Sequence, residues 1–213
     1  GVFYCYNNIN HTITMFPIQL REAVEYLNTL TIAVSENHED GRVNSIDDED
    51  TIIDLLIEKY GDRVEKPPAR CWWDLKLFGY PINIKSSKFG SAADNFSSKA
   101  AILYALTNID EEDVRCTSWK SFQTKLQENS SQLTPRDYYI IVLNKVTKKV
   151  YLQSLKSLNK LTSNGNNLPF QIKWKDNVSP VERDYGQSYN FLIECYKESV
   201  YKKISSHDGI DEL

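Results

Sequence analysis

The chain has 213 residues, of which 41% are hydrophobic and 25% charged. That is the composition of a globular protein long enough to bury a core, and it excludes disorder as the main state. No run approaches the roughly 18 consecutive apolar residues of a membrane span, and eight glycines with seven prolines exclude a collagen-like or low-complexity chain.

The net charge of −4 conceals a segregation along the chain. Residues 1–66 carry a net −8, residues 67–135 are near balance, residues 136–203 carry a net +6, and the tail is acidic again. The acidic start argues against a protein that coats polyanions all over, whereas the basic second half permits a polyanion held on one side. Cys5, Cys71, Cys116 and Cys195 are far apart, with no CxxC and no Cys/His pair at zinc spacing, so reduced thiols in a cytoplasmic protein are expected. His11, His38 and His207 lie in polar stretches that suggest neither a metal site nor a catalytic pair. Residues 1–17 lack the basic start and apolar run of a secretory signal. Met15 is the only methionine, so the chain is expected to begin after loss of its initiator or after processing.

Residues 17–34 read as a helix, with Leu20, Val24, Leu27 and Leu30 at helical spacing. Residues 35–50 are polar, with a turn expected at Gly41. A second helix is expected over 51–60, with Ile52, Ile53, Leu56 and Ile57 along one side. The acids at 47–50 suit its N-terminus and Gly61 its end. Pro67-Pro68 marks an extended connection. Two short apolar runs follow, 71–78 and 81–86, with hairpin chemistry at Gly79-Tyr80 between them. Residues 97–107 and 119–126 have helical patterns. The run 137–144 is continuous, apolar and β-branched, as expected of a strand buried on both faces. Residues 149–155 are expected to pair with it across a turn at 145–148. Residues 170–174 suggest a further strand and 189–204 an amphipathic closing helix. Helices followed by strands mixed with helices give an α/β or α+β class. With no internal repeat or linker, 1–213 reads as one domain. Its core spans about 17–160, followed by a polar, basic loop region at 161–188 and the closing helix packed on it.

The segment that carries chemistry is Cys-Trp-Trp-Asp-Leu-Lys-Leu-Phe-Gly-Tyr-Pro-Ile-Asn-Ile-Lys-Ser-Ser, residues 71–87. Asp74 sits within an apolar run, where an acid is costly unless paired or metal-bound. Asn83 and Lys85 are two apart on the next run and so share a face, with Ile82 and Ile84 on the other. A hairpin brings Asp74, Asn83 and Lys85 together. An acid, an amide oxygen and an ammonium around one point suit a hard divalent cation and a phosphate. The lysine then orients or deprotonates a water whose pKa the metal lowers. Two other readings of the segment stand beside this one. In the first, Asp74 and Lys85 form a structural ion pair on an edge hairpin. In the second, Asp74-Leu75-Lys76 is itself the acid–lysine pair, since Lys76 shares the face of Asp74.

This pattern resembles the PD-(D/E)xK nucleases, and type II restriction endonucleases in particular. There an Asp on one strand is followed about ten residues later by (Asp or Glu)-x-Lys on the next. The context is similar too: a helix that starts with acids, the strand with Asp, a turn, the strand with x-Lys, then a Ser/Asn/Lys-rich segment and a helix. The resemblance covers about 41–106 and extends more loosely through 138–143. It implies a restriction-endonuclease-like mixed central sheet flanked by helices, Mg²⁺ as cofactor and double-stranded DNA as substrate. It further implies a homodimer to match palindromic sites, and neither a membrane nor a nucleotide cofactor. Residue by residue, Asp74 is implied as the metal-binding acid and Lys85 as the catalytic lysine. Glu49 is implied as the helical acid that many members bring to the metal. Asn83 stands where the family usually has Asp or Glu. Its amide oxygen binds Mg²⁺ without adding negative charge, so either Glu49 compensates or the chain has lost cleavage and kept binding.

Ser86, Ser87, Lys88, Ser91, Asn95 and Lys99 follow in a segment suited to phosphate contacts, with Asp94 placed to cap a helix or accept from a base. Lys145, Lys148 and Lys149 read as a solvated hairpin tip. Asn166 and Asn167 in the amide-rich loop, and Lys173, Lys175 and Arg183 after it, are the later candidates for holding DNA. Trp72, Trp73, Trp119 and Trp174 read as core. The expected function is a Mg²⁺-dependent, sequence-specific double-strand DNA endonuclease that leaves 5′-phosphate and 3′-hydroxyl ends. The alternatives are a non-cleaving DNA-binding module on the same fold and a structure-selective repair nuclease.

Overall fold

The computed structural model describes residues 16–36, 46, 48–130, 134–166 and 168–205. Asn167, the three histidines, Cys5 and the turn expected at Gly41 lie outside the described residues. The elements run α1 (Ile18–Glu36), α2 (Glu49–Tyr60), β1 (Val64–Glu65), β2 (Leu75–Leu77), β3 (Tyr80–Ser87) and β4 (Asp94–Phe96). Then follow α3 (Lys99–Leu106), α4 (Trp119–Asn129), β5 (Tyr139–Asn144), β6 (Val150–Ser154), β7 (Thr162–Ser163), β8 (Phe170–Ile172) and α5 (Tyr185–Ser205). The main sheet has the order β1-β2-β3-β5-β6 and is mixed: β3 and β5 are parallel, and the other neighbours are antiparallel. A smaller antiparallel sheet has the order β4-β8-β7. The class is therefore mixed α and β, with helices against a mixed sheet.

β5 explains why residues 137–144 lack alternation. All six of its residues are buried between β3 and β6. Tyr139, Ile141 and Leu143 join a core with Leu20, Leu27, Ile52 and Leu56 of α1 and α2. Ile140 and Val142 join a second core with Leu103, Phe122 and Leu192 of α3, α4 and α5. Each face of the strand thus meets its own helical layer, so both faces need apolar side chains.

Local chemistry sets the element ends that matter for the site. Asp48 caps α2, its Oδ1 accepting from Thr51 N at 2.9 Å, and Glu49 and Asp50 occupy the favourable first turn. Gly61 ends the helix at φ 50°, in the region glycine tolerates. The hairpin turn is Phe78-Gly79, one residue earlier than Gly79-Tyr80, because Tyr80 is drawn into the ladder opposite Leu77. Both turn residues have positive φ, 53° and 82°, which matches the twist of a two-residue hairpin. The Phe78 ring packs edge-on against Tyr60 at 5.4 Å, which holds that non-glycine residue in place.

Several expected boundaries move: of the apolar run 71–78 only Leu75–Leu77 is strand, which leaves Asp74 just before it, and the strand expected over 170–174 ends at Ile172. Residues 94–96, expected to lead into a helix, form a strand instead, because Phe96 pairs with Phe170 of β8 and stacks on its ring at 5.7 Å. α3 starts only at Lys99, with Ser98 accepting from Ala101 N. α5 starts four residues earlier than 189, because Asp184 and Gln187 form a reciprocal cap: Gln187 N donates to Asp184 Oδ1 and Asp184 N to Gln187 Oε1. Among the described residues, no helix is long and apolar enough to cross a membrane. Cys71, Cys116 and Cys195 are free thiols.

Two buried charged side chains, Asp137 and Lys156, lock the start of β5 to the turn after β6 through backbone groups. Asp137 accepts from the N–H groups of Tyr138 and Lys156 at 2.8 and 3.3 Å. The Lys156 ammonium donates to the carbonyls of Thr134 and Arg136. Burial pushes the Asp137 carboxyl up to about 6, against the attraction of Lys156. Burial also pushes the Lys156 ammonium down to about 8. Removing the Lys156 side chain leaves two buried carbonyls without their charged donor and Asp137 without its attraction, and a buried polar group left unsatisfied costs roughly 1–3 kcal/mol. Lys156→Ala is expected to lose that much stability in urea unfolding at pH 7. A loss below about 1 kcal/mol, the scale of exposed pairs, would show that Lys156 does not lock the turn.

Candidate functional site

The site arises from a mismatch in strand length. β3 has eight residues and β2 has three. Their ladder runs from Leu77↔Tyr80 to Leu75↔Ile82 and is extended by one bond, Asp74 N to Ile82 O at 2.9 Å. β3 continues along β5 as far as Ser87↔Asn144, so its other edge runs on without a strand. The N–H groups of Ile84 and Ser86 point to that edge, and both are taken by carboxylates. Asp74 Oδ2 accepts from Ile84 N at 2.7 Å. Glu49 Oε1, from the first residue of α2, accepts from Ser86 N at 3.0 Å and from the Ser86 hydroxyl at 3.4 Å. N–H groups two residues apart on a strand lie roughly 6.6 Å from one another. The two acids thus hang from neighbouring points of one edge, each with a second oxygen left over.

Like charges at this spacing work against each other. The Asp74 carboxyl is raised above the usual carboxylate range, first by burial and also by the charge of Glu49; the Ile84 N–H and the Lys85 ammonium pull the other way. A cavity of about 390 Å³ opens over both acids, walled by Ile53, Pro67, Pro68, Arg70 and Trp73. Arg70 has φ 59°, a left-handed conformation that a non-glycine residue adopts at some cost in strain.

Asn83 and Lys85 lie on the face of β3 opposite Ile82 and Ile84, as their spacing predicts. Their partners on β5 are Ile140 and Val142, which face the second core. One step beyond the last ladder pair, Asp74 stands across from Asn83 on this same face. Asn83 lies beside the Tyr138 hydroxyl, which donates to Trp72 O at 2.9 Å. Burial, with the charge of Asp74, holds the Tyr138 phenol far above its ordinary pKa, so it stays a neutral donor. Lys76, the other candidate lysine, is committed elsewhere. Its ammonium lies 2.6 Å from Glu111 and 4.0 Å from Glu65, over the Trp73 ring. Lys85 is the lysine whose charge acts on Asp74.

Among the described residues, no group of three or more His, Cys, Asp or Glu side chains is placed to hold a metal ion. The donor set here is two carboxylates and one amide oxygen. All are hard donors, and Mg²⁺ is commonly held by one or two carboxylates with waters completing the shell. A half-buried pair of mutually repelling carboxylates gains most from a cation. The residues present fit a Mg²⁺ ion on that ground.

The remaining DNA candidates separate by what they already bind. Ser86 is tied to Glu49. The Ser87 hydroxyl accepts from Phe89 N at 3.1 Å. Lys88 and Ser91 are exposed on the connection after β3. Asp94 caps no helix: in β4 it accepts from the Trp174 indole N–H. Asn95 accepts from Asn164 and Gln171 at 2.8 and 3.1 Å, which ties the small sheet together. Lys99 opens α3 with its ammonium 4.8 Å from the Trp119 ring centroid. Asn166 is exposed, its N–H on Asn164 Oδ1. Lys173 is half-buried and Lys175 exposed. Arg183 is spent on structure, donating to the carbonyls of Lys156 and Leu158 at 3.2 and 2.7 Å and lying over the Phe191 ring.

Tyr138 and the backbone of Ile84 and Ser86 are the site groups that sequence reasoning missed. For Tyr138 a signal exists, since it shares period two with Ile140 and Val142. For the backbone groups there is none, because strand mismatch has no signature in side chains. Comparison of the chain with known protein families and with curated proteins gives no match.

The raised pKa of Asp74 has a signed consequence. A carboxyl whose folded pKa exceeds its unfolded value costs the folded chain stability as pH rises through that interval, and costs nothing below it. Asparagine keeps an acceptor for Ile84 N–H and drops the charge. Asp74→Asn is expected to raise the urea midpoint at pH 7.5, with the gain shrinking as pH falls toward the ordinary carboxylate range. A variant less stable than the parent at pH 7.5 would show that attraction from Lys85 outweighs burial.

Proposed function

We propose that the chain is a Mg²⁺-dependent, site-specific double-strand DNA endonuclease of the PD-(D/E)xK kind, acting as a cytoplasmic homodimer. The observation that carries this reading is the placement of Asp74 and Glu49 on the open N–H edge of β3, with Lys85 between their two anchor points. A mixed sheet whose parallel pair is β3 and β5, with an acid delivered from α2, is consistent with the restriction-endonuclease-like architecture that the motif implies.

Asp74, Glu49 and the Asn83 oxygen are the groups that would hold Mg²⁺, and the ion, when bound, supplies a Lewis acid and a lower pKa for water. Asp74 and Glu49 are kept in place by Ile84 N–H and Ser86 N–H. Lys85 orients a water for in-line attack and offsets the charge of the phosphoryl oxygens. The O–P bond forms as the P–O3′ bond breaks. The water proton passes to solvent and the 3′ oxygen takes one up, leaving a 5′-phosphate and a 3′-hydroxyl. Lys88, Ser91, Asn166 and Lys175 are exposed and suited to phosphate or base contacts.

One observation favours a second reading. Asn83 brings no charge where an acid is usual, as in a module that holds DNA without cutting it. Digestion of long unmethylated DNA with Mg²⁺ or with EDTA separates the two. The endonuclease gives discrete Mg²⁺-dependent fragments, and Asp74→Ala and Lys85→Ala each lower the rate by about 10²-fold or more. Full cutting by either variant overturns the assignment. A gel shift independent of Mg²⁺, with no cutting, establishes the second reading. Separately, Mg²⁺ is expected to raise the melting temperature of the parent chain but not that of Asp74→Ala, since a ligand stabilises only a state that binds it.

A further inference from the structure

Residues 70–73 form a wall with a cavity on each side. One is the acid-lined cavity already described. The other, of about 270 Å³, is bounded by Arg70, Trp72, Ser97, Ser98, Lys99 and Arg115. Arg70 lines both cavities. Among the described residues no carboxylate lines the second one. Arg70 and Arg115 are exposed, and Lys99 is half-buried with its ammonium held over Trp119. Two arginines, a lysine and two serines thus line one small opening in a chain of net charge −4. Each arginine also lines a neighbouring cavity that carries carboxylates, Arg70 with Glu49 and Asp74 and Arg115 with Glu111 and Glu112. Guanidinium groups match phosphate oxygens in pairs, and serine hydroxyls add single donors.

We propose that this cavity is a phosphate subsite for the nucleic-acid backbone, taking a phosphate beside the one placed over Asp74 and Glu49. The assignment rests on the nuclease reading of the adjacent acid site. It adds Arg70 and Arg115, two residues that the motif does not mark. Arg70 is the hinge of the arrangement. Bordering both cavities, it faces two positions of the same strand, and its left-handed backbone keeps it at the junction.

The test is equilibrium binding of a fluorescein-labelled mixed-sequence DNA duplex by anisotropy, in EDTA, across a series of KCl concentrations. The full chain is compared with Arg70→Ala/Arg115→Ala, Arg115→Ala alone and Lys197→Ala, the last an exposed lysine outside the cavity. Each phosphate contact contributes about 0.9 to the slope of log affinity against log salt. The double variant is expected to lose about 2 from that slope and to bind roughly tenfold to a hundredfold more weakly. Arg115→Ala is expected to lose about 1, and Lys197→Ala none. If the double variant unfolds, Arg115→Ala decides alone, because its side chain is exposed. A slope equal to that of Lys197→Ala overturns the subsite. Plasmid cleavage by the parent chain, run in parallel, separates the two ideas. An unchanged slope beside Asp74-dependent cleavage sinks the subsite and keeps the nuclease. A reduced slope in a chain that never cuts keeps the phosphate subsite and sinks hydrolysis.

Discussion

Backbone N–H groups at a strand edge must find acceptors, and that requirement organises the candidate site. β3 outruns β2, so Ile84 and Ser86 have no strand partner on that side. Asp74 and Glu49 supply the acceptors from two different elements. The same bonds that satisfy the edge also draw two acids together and orient them. Had β2 been as long as β3, ladder carbonyls would have filled these positions and the acids would have had no reason to converge. The unpaired edge is also protected from pairing with another chain, since charged groups cover it.

The rest of the fold holds that edge still. β5 lies against β3 along its length, and its two faces are packed by separate cores, so β3 cannot slide without exposing Ile82 and Ile84 or burying Lys85. α2 is anchored by Ile52 and Leu56 on the sheet and capped by Asp48, which fixes where Glu49 emerges. Tyr138, in the second core, donates to the Trp72 carbonyl and lies beside Asn83. Asp137 and Lys156 secure the opposite end of β5. Helix α2 and strand β3 therefore position Glu49, Asn83 and Lys85, and Asp74 sits one residue before β2, held by its N–H on Ile82 O and its carboxylate on Ile84 N.

The site is also where the chain departs from its own stability optimum. Asp74 is half-buried, and its pKa is raised first by that burial and only lastly by the charge of Glu49. Arg70 holds an unfavourable backbone conformation at the same opening. A half-buried carboxylate and a left-handed Arg70 backbone thus meet at one cavity. Under the proposed endonuclease reading, the charge-neutral Asn83 then sets how strongly the cation is held.

Much of this architecture was legible in the residues themselves. The spacing of Leu20, Val24 and Leu27 marks α1, and the unbroken run through Tyr139–Asn144 marks a strand covered on both sides. Period two places Asn83 and Lys85 on one face, since alternation is a property of any extended chain. Other features depend on partners remote in sequence. Residues 94–96 became a strand because Phe170 lies beside them, and Asp94 was claimed by Trp174. Arg183, plausible for DNA as a bare cation, is held by carbonyls some 25 residues away. Lys76 and Lys85 both share a face with Asp74 by their spacing, but only the fold shows that Lys76 pairs with Glu111. The sequence by itself determined the main helices and the central strands and which faces they bury, because those follow from local periodicity and capping. The tertiary structure alone decided which polar groups meet, because hydrogen bonds and ion pairs depend on distances that only the assembled fold defines.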